Sequence, residues 1–192
     1  MFNLTPVVRN LIIINVVVYI IQMIMPAATY YLSLYDINSG YFKPYQFLTY
    51  MFAHSPQSFL HIFFNMMSLA SIAPILEHYW GDKKFLMFYL ATGIGAGVIY
   101  AGVNLLLHGS GGAMLGASGA IYGVLMAFGM TFPNMQISMF FIPMPAKYMV
   151  FVVGFLTYLM DRSGTVAHLA HFGGAFVAFI LVSYWRGQEG RR

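Results

Sequence analysis

Three short stretches carry the residues able to do chemistry. The first is LGASGAIYG, residues 115–123, where one hydroxyl, Ser118, stands among Gly116, Gly119 and Gly123. The second is HIFFN, 61–65, with His61 and Asn65 four residues apart. The third is HLAHFGG, 168–174, with His168 and His171 three residues apart. A serine beside a histidine is the smallest arrangement for covalent hydrolysis of a carbonyl compound. The imidazole, with an ordinary pKa of about 6.5, takes the hydroxyl proton as the oxygen attacks. His61 and Asn65 can donate hydrogen bonds to the oxyanion that then develops. No Asp or Glu lies in these stretches, so the chemistry is that of a dyad. The bland reading of Ser118 is packing, since a serine in an apolar helix can bond the carbonyl one turn back.

The elements that must position these residues are membrane spans. Of 192 residues, 60% are hydrophobic and only 7% charged. A soluble domain carries about a quarter charged residues, so this chain cannot cover itself with solvated groups. It reads as an all-α polytopic membrane protein, one domain over 1–192. There is no cysteine, which excludes disulfides, thiolate nucleophiles and sulfur-bound metals. The formal net charge of +4 is scattered at the ends of apolar runs and is no nucleic-acid signal. The run after Arg9 is read as a first span and not a removable signal, because it lacks an A-x-A ending.

Six segments are expected to cross the bilayer: approximately 8–26, 58–78, 84–107, 115–132, 146–160 and 165–185. The long connection at 27–57, rich in tyrosine and poor in charge, suits the membrane interface. ISMFFIPMP, 137–145, is broken by Pro143 and Pro145 and reads as a packed loop or extended segment. Arg9, Lys83, Lys84, Lys147, Arg186, Arg191 and Arg192 fall on one side of a six-span bundle, against Lys43 and Arg162 on the other. That asymmetry places both termini in the cytoplasm. The second, fourth and sixth spans then run inward. His61 with Asn65, Ser118 with Tyr122, and His168 with His171 fall at one shallow depth below the extracytoplasmic surface. Each pair is spaced for a single helix face, and buried polar groups in spans usually face the bundle interior.

Small residues supply closeness. Gly119 and Gly123 make a small face on the fourth span, and Ala170, Gly174 and Ala178 make one on the sixth. Ser118 also opens a helix, where unbonded backbone N–H groups can help hold an oxyanion. Gly93 and Gly97 form a further GxxxG in the third span, read as helix packing.

These motifs together resemble the rhomboid intramembrane serine proteases, over roughly 42–185. GASG at 116–119 is similar to the family's G-x-S-G, which implies Ser118 as nucleophile and Gly116 as a supporting residue. Tyr122 matches the tyrosine whose ring packs beside the catalytic histidine. HIFFN resembles H-x-x-x-N of the second span, which implies oxyanion roles for His61 and Asn65. HFGG at 171–174 resembles H-x-x-G of the sixth span, which implies His171 as general base, over His168. The resemblance implies a six-helix rhomboid-like bundle, single-pass transmembrane substrates and no cofactor. Tyr45-Gln46 stand where the family often has a Trp-Arg pair, so loop anchoring differs. A histidine near His54 supports loop structure in the family, and His54 is given no catalytic role. The compact form suggests a bacterial cytoplasmic membrane. Two other readings compete: a non-catalytic relative that binds membrane clients, and a metal-dependent membrane enzyme or transporter using His61, His168 and His171.

Overall fold

The computed structural model describes residues 3–107, 112–139, 142–160 and 165–189. Asp161 and Arg162, the connection at 108–111, and Arg191 and Arg192 lie outside the described residues.

The chain opens with helix α1, Pro6–Ile24, whose first residue suits a position where no N–H is needed. The N–H groups of Val7 and Val8 and the Thr5 hydroxyl donate to the Glu77 carboxylate at 2.6–2.9 Å. A buried anion thus sits on the positive end of α1 and satisfies donors that a helix leaves unbonded. Glu77 belongs to the long helix α4, Phe59–Trp80. Between them the chain forms two short helices, α2 (Ala27–Leu32) and α3 (Gln46–Thr49), and a single 3-10 turn at Tyr50–Phe52. Gly81, with φ +81°, turns the backbone directly into helix α5, Asp82–Leu106. Helices α6 (Ser118–Thr131), α7 (Met149–Met160) and α8 (Thr165–Glu189) complete the bundle.

Each expected span coincides with one of α1, α4, α5, α6, α7 and α8. Among the described residues, four helices are long and apolar enough to cross a membrane: α1, α4, α5 and the 168–188 part of α8. The other two apolar helices are shorter, and α6 has only 14 residues. Ten of those 14 are buried, which makes α6 the central helix. It packs on α8, α5, α4 and α7. The outer helices turn large apolar side chains outward, among them Ile20 and Ile24 of α1, Phe151 of α7 and Phe172 of α8. Surface of that kind on every side belongs to lipid and not to water. The chain is a polytopic helical membrane protein.

Two expected features take a more definite form. The stretch expected as a packed loop or extended segment is extended: Gln136–Met139 (β1) and Ile142–Pro145 (β2) pair antiparallel between α6 and α7, with Ser138 opposite Pro143. Proline is tolerated there because each strand has a free edge. The GxxxG of α5 packs not on another long span but on the first connection, where α3 and the 3-10 turn lie against it. A Cβ on Gly93 would strike the Met51 side chain, and one on Gly97 would meet Tyr50. The second half of the first connection is therefore core. Tyr50, Met51, Ala53 and His54 are fully buried, whereas Tyr30, Tyr31, Tyr41 and Tyr45 remain exposed.

Candidate active site

Ser118 is the first residue of α6 and is half-buried. The segment before it is held from two directions. Leu34 and Met114 exchange backbone hydrogen bonds at 2.9 and 2.8 Å, and the Gly116 N–H donates to the Tyr50 carbonyl at 2.9 Å. Gly116 has φ +125°, a conformation that side-chain-bearing residues rarely adopt. A Cβ placed there would lie 2.8 Å from His61 Nε2 and 3.8 Å from Ser118 Oγ. The missing side chain of Gly116 thus leaves a space bordered by both the hydroxyl and an imidazole nitrogen.

His61 stands in the first turn of α4 and is half-buried. Its ring meets that of His54 edge to face, with centroids 5.1 Å apart. His54 is completely buried. The side-chain amide of Gln22 on α1 clamps its backbone: Gln22 Oε1 accepts the His54 N–H at 2.9 Å, and Nε2 donates to the His54 carbonyl at 3.0 Å. Burial pushes the His54 imidazole down to about 3, helped by the neighbouring His61 and opposed by a backbone bond at Phe52. His54 is neutral at ordinary pH, and its Nε2 accepts the Ala117 N–H at 3.5 Å, a long bond. Asn65, one turn below His61, is buried and donates one amide N–H to the His61 carbonyl at 2.8 Å.

On the other side of Ser118 stands α8. The His171 ring lies flat on Tyr122, centroids 4.2 Å apart and planes within 9°. Tyr122 and Ser118 are four residues apart on one face of α6. One turn along α8, a Cβ on Gly174 would lie 1.8 Å from the Gly119 carbonyl oxygen. The two backbones touch, and only glycine permits it. Gly119 also faces Ala96 of α5 and the Ala170 carbonyl of α8. Gly123, expected on the same seam, faces Thr92 of α5. The small face of α6 is therefore divided between two neighbours.

His168 and His171 point at different partners. His168 packs on Tyr158 of α7, with ring centroids 5.1 Å apart, and His171 packs on α6. Sequence reasoning did not find Thr157. Its Oγ1 accepts the Tyr122 hydroxyl at 2.7 Å and donates to the Val153 carbonyl at 2.8 Å. That contact braces the ring under His171 from α7. A single threonine in an apolar run carries no signal of its partner. His54 was expected as a loop support, and a lone buried histidine likewise gave no sign that it reaches the residue before Ser118.

The gathered groups are a hydroxyl at a helix start, a half-buried imidazole (His61) bordering the same space at Gly116, and a second half-buried imidazole (His171) stacked on Tyr122, one turn along α6 from Ser118. Comparisons with known proteins point the same way. The Rhomboid domain model matches residues 41–187. Rhomboid protein 1, mitochondrial, of Saccharomyces cerevisiae is 30% identical over 138 residues, covering 69% of this chain and 40% of that protein. The human presenilin-associated rhomboid-like protein, mitochondrial, is 30% identical over 146 residues, covering 69% of this chain and 37% of that protein. The rhomboid protease GlpG of Yersinia enterocolitica is 25% identical over 187 residues, covering 94% of this chain and 62% of that protein. The chain spans about two fifths of the length of the two mitochondrial relatives. With the matched region running from the first connection into the last turns of α8, and so taking in His61, Asn65, Gly116, Ser118, Tyr122 and His171, the chain belongs to the rhomboid family.

Proposed function

We propose that the protein is an intramembrane serine endopeptidase that cuts transmembrane segments of single-pass membrane proteins through a Ser118–His171 dyad. The reading is supported by two observations: Ser118 Oγ and His61 Nε2 border one space at Gly116, and His171 stacks on Tyr122, one turn along the same face of α6. Ser118 Oγ attacks the scissile carbonyl while His171 takes its proton. The oxyanion forms beside Gly116, and the donors assigned to it are His61, the Ser118 N–H and Asn65. His171 then protonates the leaving amine, and water releases the acyl group by the same relay. Asn65 must turn an N–H away from its own helix, or use its second one, to take part.

The site lies within a single domain over 1–192 that crosses the bilayer six times. At about 1.5 Å per residue, α6 covers roughly 21 Å, less than the ~30 Å hydrocarbon core. A helix that short leaves room for Ser118, half-buried at its start, to lie below the surface. Arg9, Lys83, Lys84, Lys147 and Arg186 gather at the far end, which is the cytoplasmic one and holds both termini. The membrane is a bacterial cytoplasmic membrane. The substrate segment must unwind to present a peptide bond, which favours small or helix-breaking residues near the extracytoplasmic face.

The test is cleavage of a single-pass reporter by purified, reconstituted protein. Ser118→Ala and His171→Ala should each abolish it, and His168→Ala should retain it. Cleavage by Ser118→Ala would overturn the reading. Capture of membrane clients without labelling by a serine-reactive fluorophosphonate would make the protein a client-binding relative.

A further inference from the structure

Much of α1 is exposed, and its buried residues are Val8, Leu11, Asn15 and Gln22. Their spacing keeps them on one face of the helix, which is apolar at its start and polar towards its end. The two amides are both fully buried, yet they are used differently. Asn15 donates to the Leu11 carbonyl of its own helix at 2.7 Å. Gln22 turns to the first connection instead. Its Nε2 donates to the Thr29 hydroxyl and to the His54 carbonyl, both at 3.0 Å, and its Oε1 accepts the His54 N–H at 2.9 Å. Buried main-chain groups need partners, and His54 lies outside any helix or strand. One side-chain amide thus does for His54 what a neighbouring strand would do.

The clamp fixes where the His54 ring stands, and two parts of the site lean on that ring. Its Nε2 accepts the N–H of Ala117, the residue directly before Ser118. Its edge meets His61, whose Nε2 borders the space at Gly116. The bond to Ala117 is 3.5 Å long, at the limit of a hydrogen bond, so a small swing of the ring loses it. The other holds on this segment, Leu34–Met114 and Gly116–Tyr50, run from backbone to backbone and need no side chain. Helix α1 lies outside residues 41–187, the region matched by the Rhomboid domain model, so that likeness assigns it no part in the site. We propose that Gln22 is a positioning residue for the reaction at Ser118: from α1 it sets the His54 ring, and through that ring the Ala117 peptide and the His61 imidazole. Its role rests on Ser118 being the nucleophile, as proposed above. The amide stands two contacts away from the reacting atoms, so it governs turnover and not the capture of substrate.

The test is reporter cleavage by the reconstituted protein, resolved into kcat and KM. Gln22→Met keeps the length of the side chain and removes its hydrogen bonds. Gln22→Asn keeps an amide that is too short to span both His54 groups, and it carries the test should Gln22→Met fail to fold. Each should lower kcat about tenfold to 100-fold and leave KM within about twofold. Labelling of Ser118 by a fluorophosphonate, which needs no substrate segment, should slow in step. Thr29→Val removes the third partner of Gln22 without touching His54, and should keep the native kcat. Near-ultraviolet circular dichroism checks that the variants remain folded. A readout without turnover comes from Ser118→Ala protein carrying heavy-nitrogen histidine. With Nε2 accepting, the neutral His54 ring holds its proton on Nδ1, and its magnetic resonance signals should show that one tautomer. Gln22→Asn should shift those signals. Native kcat in the Gln22 variants, an equal loss in Thr29→Val, or His54 signals that Gln22→Asn leaves in place each overturn the role of Gln22. A native protein that does not cleave, while Gln22→Asn still moves the His54 signals, overturns the proteolytic reading and the role built on it, but leaves the clamp standing.

Discussion

Helix α6 is held on one side by backbone and on the other, among the described residues, by the Tyr122–Thr157 hydrogen bond. Towards α8 its Gly119 carbonyl touches Gly174, and towards α5 it meets Ala96 and Thr92. Towards α7, Tyr122 donates to Thr157, and the Tyr122 ring lies near Gly154. The buried residues of α7 lie at its start, Met149 and Val150, while Phe151, Phe155 and Tyr158 face outward. Two touching backbones cannot adjust, because neither has a side chain to move. A hydroxyl pair can part and re-form. Ser118 and His171 therefore belong to the rigid side of α6, and the ring that orients His171 is braced from the adjustable side.

The hardest way to break this contrast is Gly174→Val. Its Cβ would overlap the Gly119 carbonyl, which is main chain and cannot yield. We expect a destabilisation of about 3 kcal/mol or more, read as a lower melting temperature in detergent, with no reporter cleavage. A variant that melts like the native protein would show that the seam is not rigid. Gly116→Ala comes next and strikes the site instead of the fold. The strained φ costs about 1–3 kcal/mol, while the new methyl fills the space beside His61 Nε2. Cleavage should fall about 100-fold or more, out of proportion to the loss of stability.

A third effect is electrostatic and smaller. The folded-state pKa of His54, about 3, lies below its ordinary value. The unfolded chain therefore binds the extra proton first, and acidification favours unfolding. The His54 contribution is complete above about pH 6.5 and is lost as pH falls towards 3. Between about pH 6.5 and 5, before most carboxylates titrate, stability of the native protein should decline more steeply than that of His54→Gln. Parallel curves would mean that His54 is not buried as a neutral ring.

What was legible in the sequence divides along the same line. Polar residues stand out in apolar helices, so Ser118, His61, Asn65, Tyr122 and His171 could be picked out from type and spacing. Helix positions followed from apolar length. Small-residue faces announced close approach but not the neighbour. Gly123 was expected to meet α8 and meets Thr92, and Gly93 and Gly97 receive Met51 and Tyr50 from the first connection. Partners remote in the chain left no local mark. Glu77 reaches the start of α1 some 70 residues away, and Thr157 reaches Tyr122 across 35. At 137–145 the prolines left a packed loop and an extended segment equally open; the extended form holds, and the pairing of β1 with β2 left no mark because an edge strand accepts proline.

The finest test of the contrast is Thr157→Val, which keeps the side chain's shape and removes its oxygen. Tyr122 would keep its place in the α6 helix and its stack on His171, but lose the acceptor that holds its hydroxyl. If α7 braces the histidine, the maximal cleavage rate should fall roughly threefold to tenfold, while stability changes by about 1 kcal/mol, the net worth of one hydrogen bond. Tyr122→Phe removes the other partner of the same bond and should give a similar loss. The double variant should then be no slower than either single one, because the two residues act through one contact. Thr157→Ser, which restores the oxygen, should recover the rate. Native rates in Thr157→Val would leave His171 oriented by the glycine seam alone, and additive losses in the double variant would separate the tyrosine ring from the α7 brace.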